Sequence, residues 1–153
     1  MMLSKKWFFS LVFISTATHA DVNVIDAHVS KKPLMLELTI ENTSPSAVAR
    51  GYIATRFKTP GREVPWVDSW EQSYSVPGGV EPGERYTLTL PAPPELQEIT
   101  QHEVTAEVYF FSAFNYDQDP LNADAEHVVQ ELERLAQESQ ALQDELEEAM
   151  NSK

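Results

Sequence analysis

The chain divides between residues 116 and 120 into two stretches with different residue patterns. Residues 21 to about 116 carry short runs of alternating apolar and polar side chains and hold nine of the ten prolines. From about residue 120 to residue 150 there is no glycine, and Pro120 is the sole proline. A period of two residues favours strands, whereas a long run of Glu, Gln, Ala and Leu favours a helix. The sequence therefore predicts a mainly β domain over residues 21–116, followed by one long C-terminal α-helix over residues 119–150.

The first stretch contains six or seven apolar runs separated by turn residues. The clearest run is 34–40, where every second residue is leucine or isoleucine, and the polar segment 42–46 that follows it is a strong turn signal. The run 104–114 is apolar on both faces, which predicts a central strand. This number and spacing of strands predict an antiparallel, immunoglobulin-like β-sandwich. The other predicted strands are 22–29, Val48–Lys58, 64–76 and 86–90.

The helical stretch carries an apolar seam with spacings that alternate between four and three residues. This is the pattern of the a and d positions of a coiled coil. Each g position is a glutamate and each e position is uncharged, so a parallel pair of copies keeps the glutamates apart, whereas an antiparallel pair brings them together. Three alternatives remain open for the seam: a second copy, the β domain of the same chain, or a helix of another protein. The seam consists of Val128, Leu132, Leu135, Ser139, Leu142, Leu146 and Ala149.

Asp119 and Pro120 mark the predicted start of this helix. Aspartate is a preferred N-cap residue, and proline is well tolerated at the first helical position because its missing N–H has no partner there. The sequence therefore predicts a helix that begins directly after Asp119.

The first twenty residues have the order of a secretory signal peptide. Lys5 and Lys6 precede an apolar core at residues 7–14, and a small polar segment ends at Ala20. This core is shorter than the roughly twenty residues that a spanning helix needs. We therefore expect cleavage after Ala20 and a periplasmic or secreted product. The sequence has no cysteine for lipid attachment, so we expect no stable membrane anchor after cleavage.

Composition argues against several classes of function. The net charge is −13, which disfavours nucleic acid and anionic membranes as partners. The lack of cysteine excludes thiol catalysis and cysteine-ligated metals. The histidines lack metal-ligand spacing, and the sequence has neither a nucleophile-elbow serine motif nor a glycine-rich phosphate loop. We therefore expect a non-enzymatic protein with no catalytic residues, no metal site and no cofactor.

Two loop motifs stand close together in the middle of the β stretch, PGREVPW at residues 60–66 and PGGVEPGE at residues 77–84. Together they resemble a pattern in small exported bacterial proteins of uncharacterised function, in which PGR-x-x-PW precedes PGG-x-EPGE within a sandwich domain. Residues 36–43 are more loosely similar to FxLYD-type exported sandwich domains. The resemblance covers about residues 34–90. It implies a sandwich fold and export, and it supplies no catalytic residues.

The sequence supports two hypotheses for function. The first is a protein–protein interaction or assembly factor of the periplasm or cell envelope, which associates through Val128, Leu132, Leu135, Leu142 and Leu146. The second is a ligand- or glycan-binding module that uses the loop at residues 62–70, because Arg and Trp are favoured binding anchors. In that case Arg62, Trp66 and Trp70 form an exposed recognition loop. The alternative for these three residues is a purely structural role in turns and core.

Overall fold

The computed structural model describes residues 21–99 and 101–151, and within these ranges the chain forms six strands, one short 3₁₀ helix and one long α-helix. The predicted signal peptide, residues 1–20, lies outside the described residues. Among the described residues, neither helix combines the length and the apolar character that crossing a membrane requires. The elements in order are β1 (Val22–Lys31), β2 (Leu34–Asn42), β3 (Val48–Lys58), β4 (Val67–Val80), β5 (Arg85–Pro91), the 3₁₀ helix (Pro94–Glu98), β6 (Thr105–Phe114) and α1 (Ala123–Asn151).

The strands form two antiparallel sheets of three strands each. One sheet has the order β1-β2-β5 and the other has the order β4-β3-β6. Strands β2 and β3 are therefore central, and the other four lie at the edges. The prediction of a mainly β chain with one C-terminal helix is confirmed.

A single buried cluster joins the two sheets. Leu36, Leu38 and Ile40 of β2 are fully buried, as their alternation predicts. Ile53 and Phe57 of β3 reach the same cluster from the other sheet. Because one cluster contains side chains from both sheets, the removal of apolar surface from water holds the sheets together.

The turn between β2 and β3 is organised by Asn42, which is fully buried. Its Nδ2 donates hydrogen bonds to the carbonyl oxygens of Ser46 and Val80, at 2.9 and 2.7 Å. Its Oδ1 accepts from the amide and the hydroxyl of Ser44, at 3.0 and 2.7 Å. Both donors and both acceptor sites of the amide are thereby used. The turn predicted at residues 42–46 is confirmed. The Asn42 side chain also bonds this turn to Val80, the last residue of β4.

Strand β6 packs closely against β3 at Gly51. A Cβ added there would lie 1.8 Å from the carbonyl oxygen of Ser112, so the position requires glycine. The hydroxyl of Tyr74 donates to the same carbonyl at 2.8 Å, and the Tyr74 ring stacks on Phe111 with 5.5 Å between ring centroids. Burial favours the neutral phenol and raises the pKa of Tyr74 far above its ordinary value.

The prediction that the last strand is central is wrong, because β6 lies at the edge of its sheet. The chain that follows β6 turns back and covers the C-terminal half of this edge. Phe114 forms a β-bridge with Pro120, and the amide of Leu121 donates to the carbonyl of Ala113 at 2.8 Å. The returning segment therefore pairs with backbone groups of β6 that a further neighbouring strand would otherwise pair with.

The predicted start of the helix at Asp119 is also wrong, because α1 begins at Ala123. Pro120 is held in the bridge to Phe114, so residues 119–122 run along β6 before the helix can start. Asp119 instead closes the preceding turn, where its carboxylate accepts a hydrogen bond from the Asn115 side chain at 2.9 Å. The cap of the helix is Asn122, three residues later than predicted.

Candidate functional site

The start of α1 is fastened to the edge of β6 by the side chain of Asn122. Its Oδ1 accepts a hydrogen bond from the amide of Ala125 at 3.0 Å, which is the geometry of an N-cap. The same oxygen accepts from the amide of Ala113 at 3.1 Å, and Nδ2 donates to the carbonyl of Phe111 at 2.8 Å. One side-chain amide thus caps the helix and pairs with β6 in the place that a neighbouring strand would take.

Two neighbours of Asn122 complete this attachment. A carboxylate oxygen of Asp124 accepts from the amide of Phe111 at 2.8 Å, and Ala125 is fully buried. We call Leu121, Asn122, Asp124 and Ala125 the helix junction. The junction hydrogen-bonds the start of α1 to the backbone of Phe111 and Ala113 at the edge of β6. It therefore fixes the direction in which the helix leaves the β domain.

The apolar seam of α1 is exposed beyond the first two turns. Val128 is half-buried near the junction. By contrast, Leu132, Leu142 and Leu146 keep 62, 61 and 64% of their surface exposed, and Leu135 keeps 51%. Packing on the β domain of the same chain, one of the three predicted alternatives, therefore does not cover the seam from Leu132 onward. At 29 residues, α1 is about 43 Å long, and most of that length projects from the domain.

The charged residues of α1 are acidic, with one exception. Residues 123–151 contain nine Asp and Glu, and Arg134 is the sole Lys or Arg among them. Arg134 donates to Glu131 at 2.9 Å and to Glu138 at 2.5 Å. The hydrogen bond from Arg134, together with its charge, holds the pKa of Glu131 below its ordinary value. Two of the three g-position glutamates are therefore already paired within their own helix.

The second candidate site begins at a tight turn after β3. The amide of Arg62 donates to the carbonyl of Thr59 at 3.0 Å, and Gly61 has φ +80°. Proline at the second position of the turn and a positive-φ glycine at the third are typical of a type II turn. The predicted end of a strand at Lys58 is confirmed. The turn lays the Arg62 guanidinium over the Trp66 ring, 3.5 Å from its centroid.

Trp66 has partners on several sides. Its indole N–H donates to the Thr59 hydroxyl at 2.9 Å, and its backbone amide donates to the carbonyl of Phe57 at 2.8 Å. The ring of His102 lies 5.9 Å away, centroid to centroid. The side chain is half-buried and packs against the core. The structure thus joins Arg62 and Trp66 in one stack, in which Arg62 is exposed and Trp66 is half-buried.

Trp70 lies four residues further on, within β4, and has different partners. Its indole N–H donates to the carbonyl of Pro91 at 3.1 Å, and its ring also packs against the core. An open cavity of about 430 Å³ lies beside Trp66 and not beside Trp70. Besides Trp66, the cavity is lined by Glu95, Glu98, Ile99, Gln101 and His102.

Comparisons with protein-family models, with curated proteins and with solved structures find no match to this chain. Within residues 21–99 and 101–151 there is also no group of three or more His, Asp or Glu placed to hold a metal ion.

The sequence does not predict the hydrogen bonds that Asn122 and Asp124 of the helix junction make to β6. Asparagine is among the best N-cap residues, so Asn122 carried a recognisable local signal. The Asp119–Pro120 pair is a stronger local signal for a helix start, so the sequence predicts the cap at Asp119 instead. The bonds from Asn122 and Asp124 to Phe111 span 11 and 13 residues, and no short-range pattern indicates them.

Proposed function

We propose that this chain is an exported, non-enzymatic protein that acts in protein–protein interaction or assembly in the periplasm or cell envelope, with α1 as the associating element. The observation that carries this proposal is the exposed seam of α1. Four leucines, each at least half exposed, line one side of a helix whose start is fixed on the β domain. The signal-peptide pattern of residues 1–20 supports export.

Physical chemistry gives such a helix a reason to find a partner. Most helical stability in proteins comes from packing an apolar face, and α1 leaves this face unpacked from Leu132 onward. A contiguous apolar surface rimmed by charge is typical of an interaction site. Covering the seam of α1 removes these side chains from water and stabilises the helix at the same time.

In this proposal the β domain is an immunoglobulin-like sandwich that serves as the base for α1. Two antiparallel sheets with a common core are consistent with a sandwich. The domain uses edge strand β6 to hold the helix junction, so the helix is presented at a defined place.

The proposal is tested with a seam variant and a matched control on the mature chain. Leu135→Glu combined with Leu142→Glu places two charges in the seam. Gln137→Glu combined with Ala141→Glu places two charges on exposed positions outside it. In pull-downs from the native envelope, counting further copies of the same chain as partners, we expect the seam variant to lose the retained proteins and the control to keep them. Equal retention by both variants would reject helix-mediated association.

The cavity beside Trp66 favours a second candidate function, recognition of a ligand or glycan by the loop at residues 62–70. Arg62 stacks on Trp66, which lines the cavity, and is itself exposed, so Arg62→Ala tests the proposed contact with a ligand without opening the core. Trp66→Ala is less informative, because Trp66 also packs against the core. If the cavity binds glycan, fragments of the envelope glycan should change the tryptophan fluorescence of the mature protein, and Arg62→Ala should weaken this response. An unchanged spectrum across the glycan titration would remove this candidate.

A further inference from the structure

We propose that the partner of the exposed seam is a second copy of this chain, with the two α1 helices parallel and in register. This inference rests on the proposed function, since it names the occupant of the same surface. It concerns the part of the seam from Leu132 onward, because Val128 is already half-buried beside the junction.

The first argument is the charge pattern on the two sides of the seam. The g positions are Glu131, Glu138 and Glu145, and the e positions in the exposed part are Ala136, Gln143 and Met150. In a parallel pair each g residue faces an e residue of the other helix, so every glutamate meets an uncharged side chain. In an antiparallel pair the g residues of the two helices face each other, and the glutamates repel.

The second argument concerns Arg134, the sole Lys or Arg of α1. Its guanidinium bonds to Glu131 and Glu138 of its own helix. These two g-position carboxylates are therefore partly neutralised before any partner arrives. A second copy carries the same two partly neutralised glutamates beside its own seam. A partner with Lys or Arg beside its seam gains less electrostatic attraction, because these carboxylates are already paired.

The third argument is that the exposed part of the seam does not overlap the helix junction. Parallel helices place both β domains at the same end of the pair. The exposed seam begins at Leu132, ten residues beyond Asn122, which corresponds to about 15 Å of helix. Pairing from Leu132 onward therefore leaves the hydrogen bonds between the junction and β6 in place.

The seam also contains a polar residue, Ser139, at a central a position. A polar side chain at an a position weakens a coiled coil, so we expect a dimer that depends on protein concentration. Ser139→Leu fills this layer in both copies at once. Burying an added leucine in each helix should tighten the dimer by about tenfold or more in sedimentation equilibrium.

Helix orientation is tested by disulfide cross-linking, because the chain has no cysteine to interfere. Ala149→Cys places one thiol in the seam near the end of α1, and Asp144→Cys places one on the opposite side of the helix as the matched control. A parallel pair in register brings the two Cys side chains at position 149 together. We expect Ala149→Cys to form a disulfide-linked dimer readily under mild oxidation, and Asp144→Cys to form far less. A dimer in which position 149 cross-links no better than position 144 would overturn the parallel arrangement.

Salt dependence separates a second copy from a basic partner. Both helices of a homodimer are acidic, so added salt screens their repulsion and should strengthen the dimer. A complex with a basic partner should weaken as salt is raised. A purified mature chain that stays monomeric at all concentrations and salt levels would overturn the second copy as occupant. If the seam still retains envelope proteins in that case, the proposed function stands. If the seam retains nothing, both proposals fail.

Discussion

The β domain and α1 use the same residue type in opposite ways. Leu36 and Leu38 in β2 are fully buried in the core that joins the two sheets. Leu142 and Leu146 in α1 keep 61 and 64% of their surface exposed. The β domain therefore covers its apolar surface within one chain, whereas the seam of α1 stays exposed among the described residues. In the proposed function, folding and association belong to separate parts of this molecule.

The largest expected effect comes from truncating one leucine in each region. Leu38→Ala leaves a cavity in the shared core and should lower the free energy of unfolding by about 2–5 kcal/mol. Leu142→Ala should change it by less than about 0.5 kcal/mol at concentrations where the chain is monomeric, because the side chain is already exposed. Urea unfolding followed by tryptophan fluorescence measures both. A large loss for Leu142→Ala would contradict the separation of the two regions.

The next largest effect is expected at the helix junction, where the two regions meet. Asn122→Ala removes the N-cap of α1 and leaves the amide of Ala113 and the carbonyl of Phe111 without their side-chain partner. We expect a loss of about 1–3 kcal/mol in the free energy of unfolding of the β domain, together with a lower helical signal in circular dichroism.

Asn23→Ala, at an exposed position of β1, is the matched control for this change and should be neutral. If Asn122→Ala lowers only the helical signal and leaves the β domain as stable as before, the junction is a cap alone and does not protect the edge of β6.

The same comparison explains how much of the fold could be predicted from the sequence. In β2 the alternation of Leu36, Leu38 and Ile40 reports directly which face is buried, so strand and core were predicted together. The turn at residues 42–46 is equally local, because Asn42 bonds to Ser44 and Ser46. Predictions succeeded where a short-range pattern along the chain indicates the buried face or the turn.

The sequence predictions are wrong or incomplete where a residue's structural partner lies far away along the chain or is not part of the chain. The apolar character of β6 predicts a central strand, but β6 lies at an edge, where Leu121 and Asn122 of the returning segment bond to its backbone. Asp119 looked like a cap because a local rule cannot register the bridge between Pro120 and Phe114. At the candidate site, the heptad pattern identified the seam, but only the structure shows that its leucines are exposed.

A smaller effect is expected from Tyr74, which sits where β6 meets β3 beneath the edge that carries the helix. Tyr74→Phe removes the hydrogen bond to the carbonyl of Ser112 and should cost about 0.5–1.5 kcal/mol near neutral pH. Burial raises the pKa of Tyr74 in the folded state above the ordinary value of 10.0. The corresponding stabilisation is therefore complete below pH 10.0 and is lost as the pH rises above it.

Urea unfolding at neutral and strongly alkaline pH measures this effect. The native chain should lose more stability on alkalinisation than Tyr74→Phe does. Tyr86→Phe, at an exposed ring on β5, is the matched control and should keep the native profile. If the native chain and Tyr74→Phe lost equal free energy of unfolding at alkaline pH, ionisation of the buried phenol would not be the cause of the loss.

The smallest effect is expected from Arg134, which acts within α1 alone. Arg134→Gln removes the ion pairs to Glu131 and Glu138 and should slightly lower the helical signal of the monomer in circular dichroism near neutral pH. Arg134 lowers the pKa of Glu131 in the folded helix. The contribution of the pair is therefore present above the ordinary carboxyl value of 4.5 and is lost as the pH falls through the lowered pKa.

The difference between Arg134→Gln and the native chain should consequently disappear in acid. Arg85→Gln, which breaks an exposed ion pair with Glu41 in the β domain, is the control and should leave the helical signal unchanged. Thermal unfolding of the β domain should be the same in all three proteins, because Arg134 lies beyond the junction. If Arg134→Gln instead destabilised the β domain, the exposed length of α1 would be coupled to the core, and its seam could not be treated as a surface reserved for a partner.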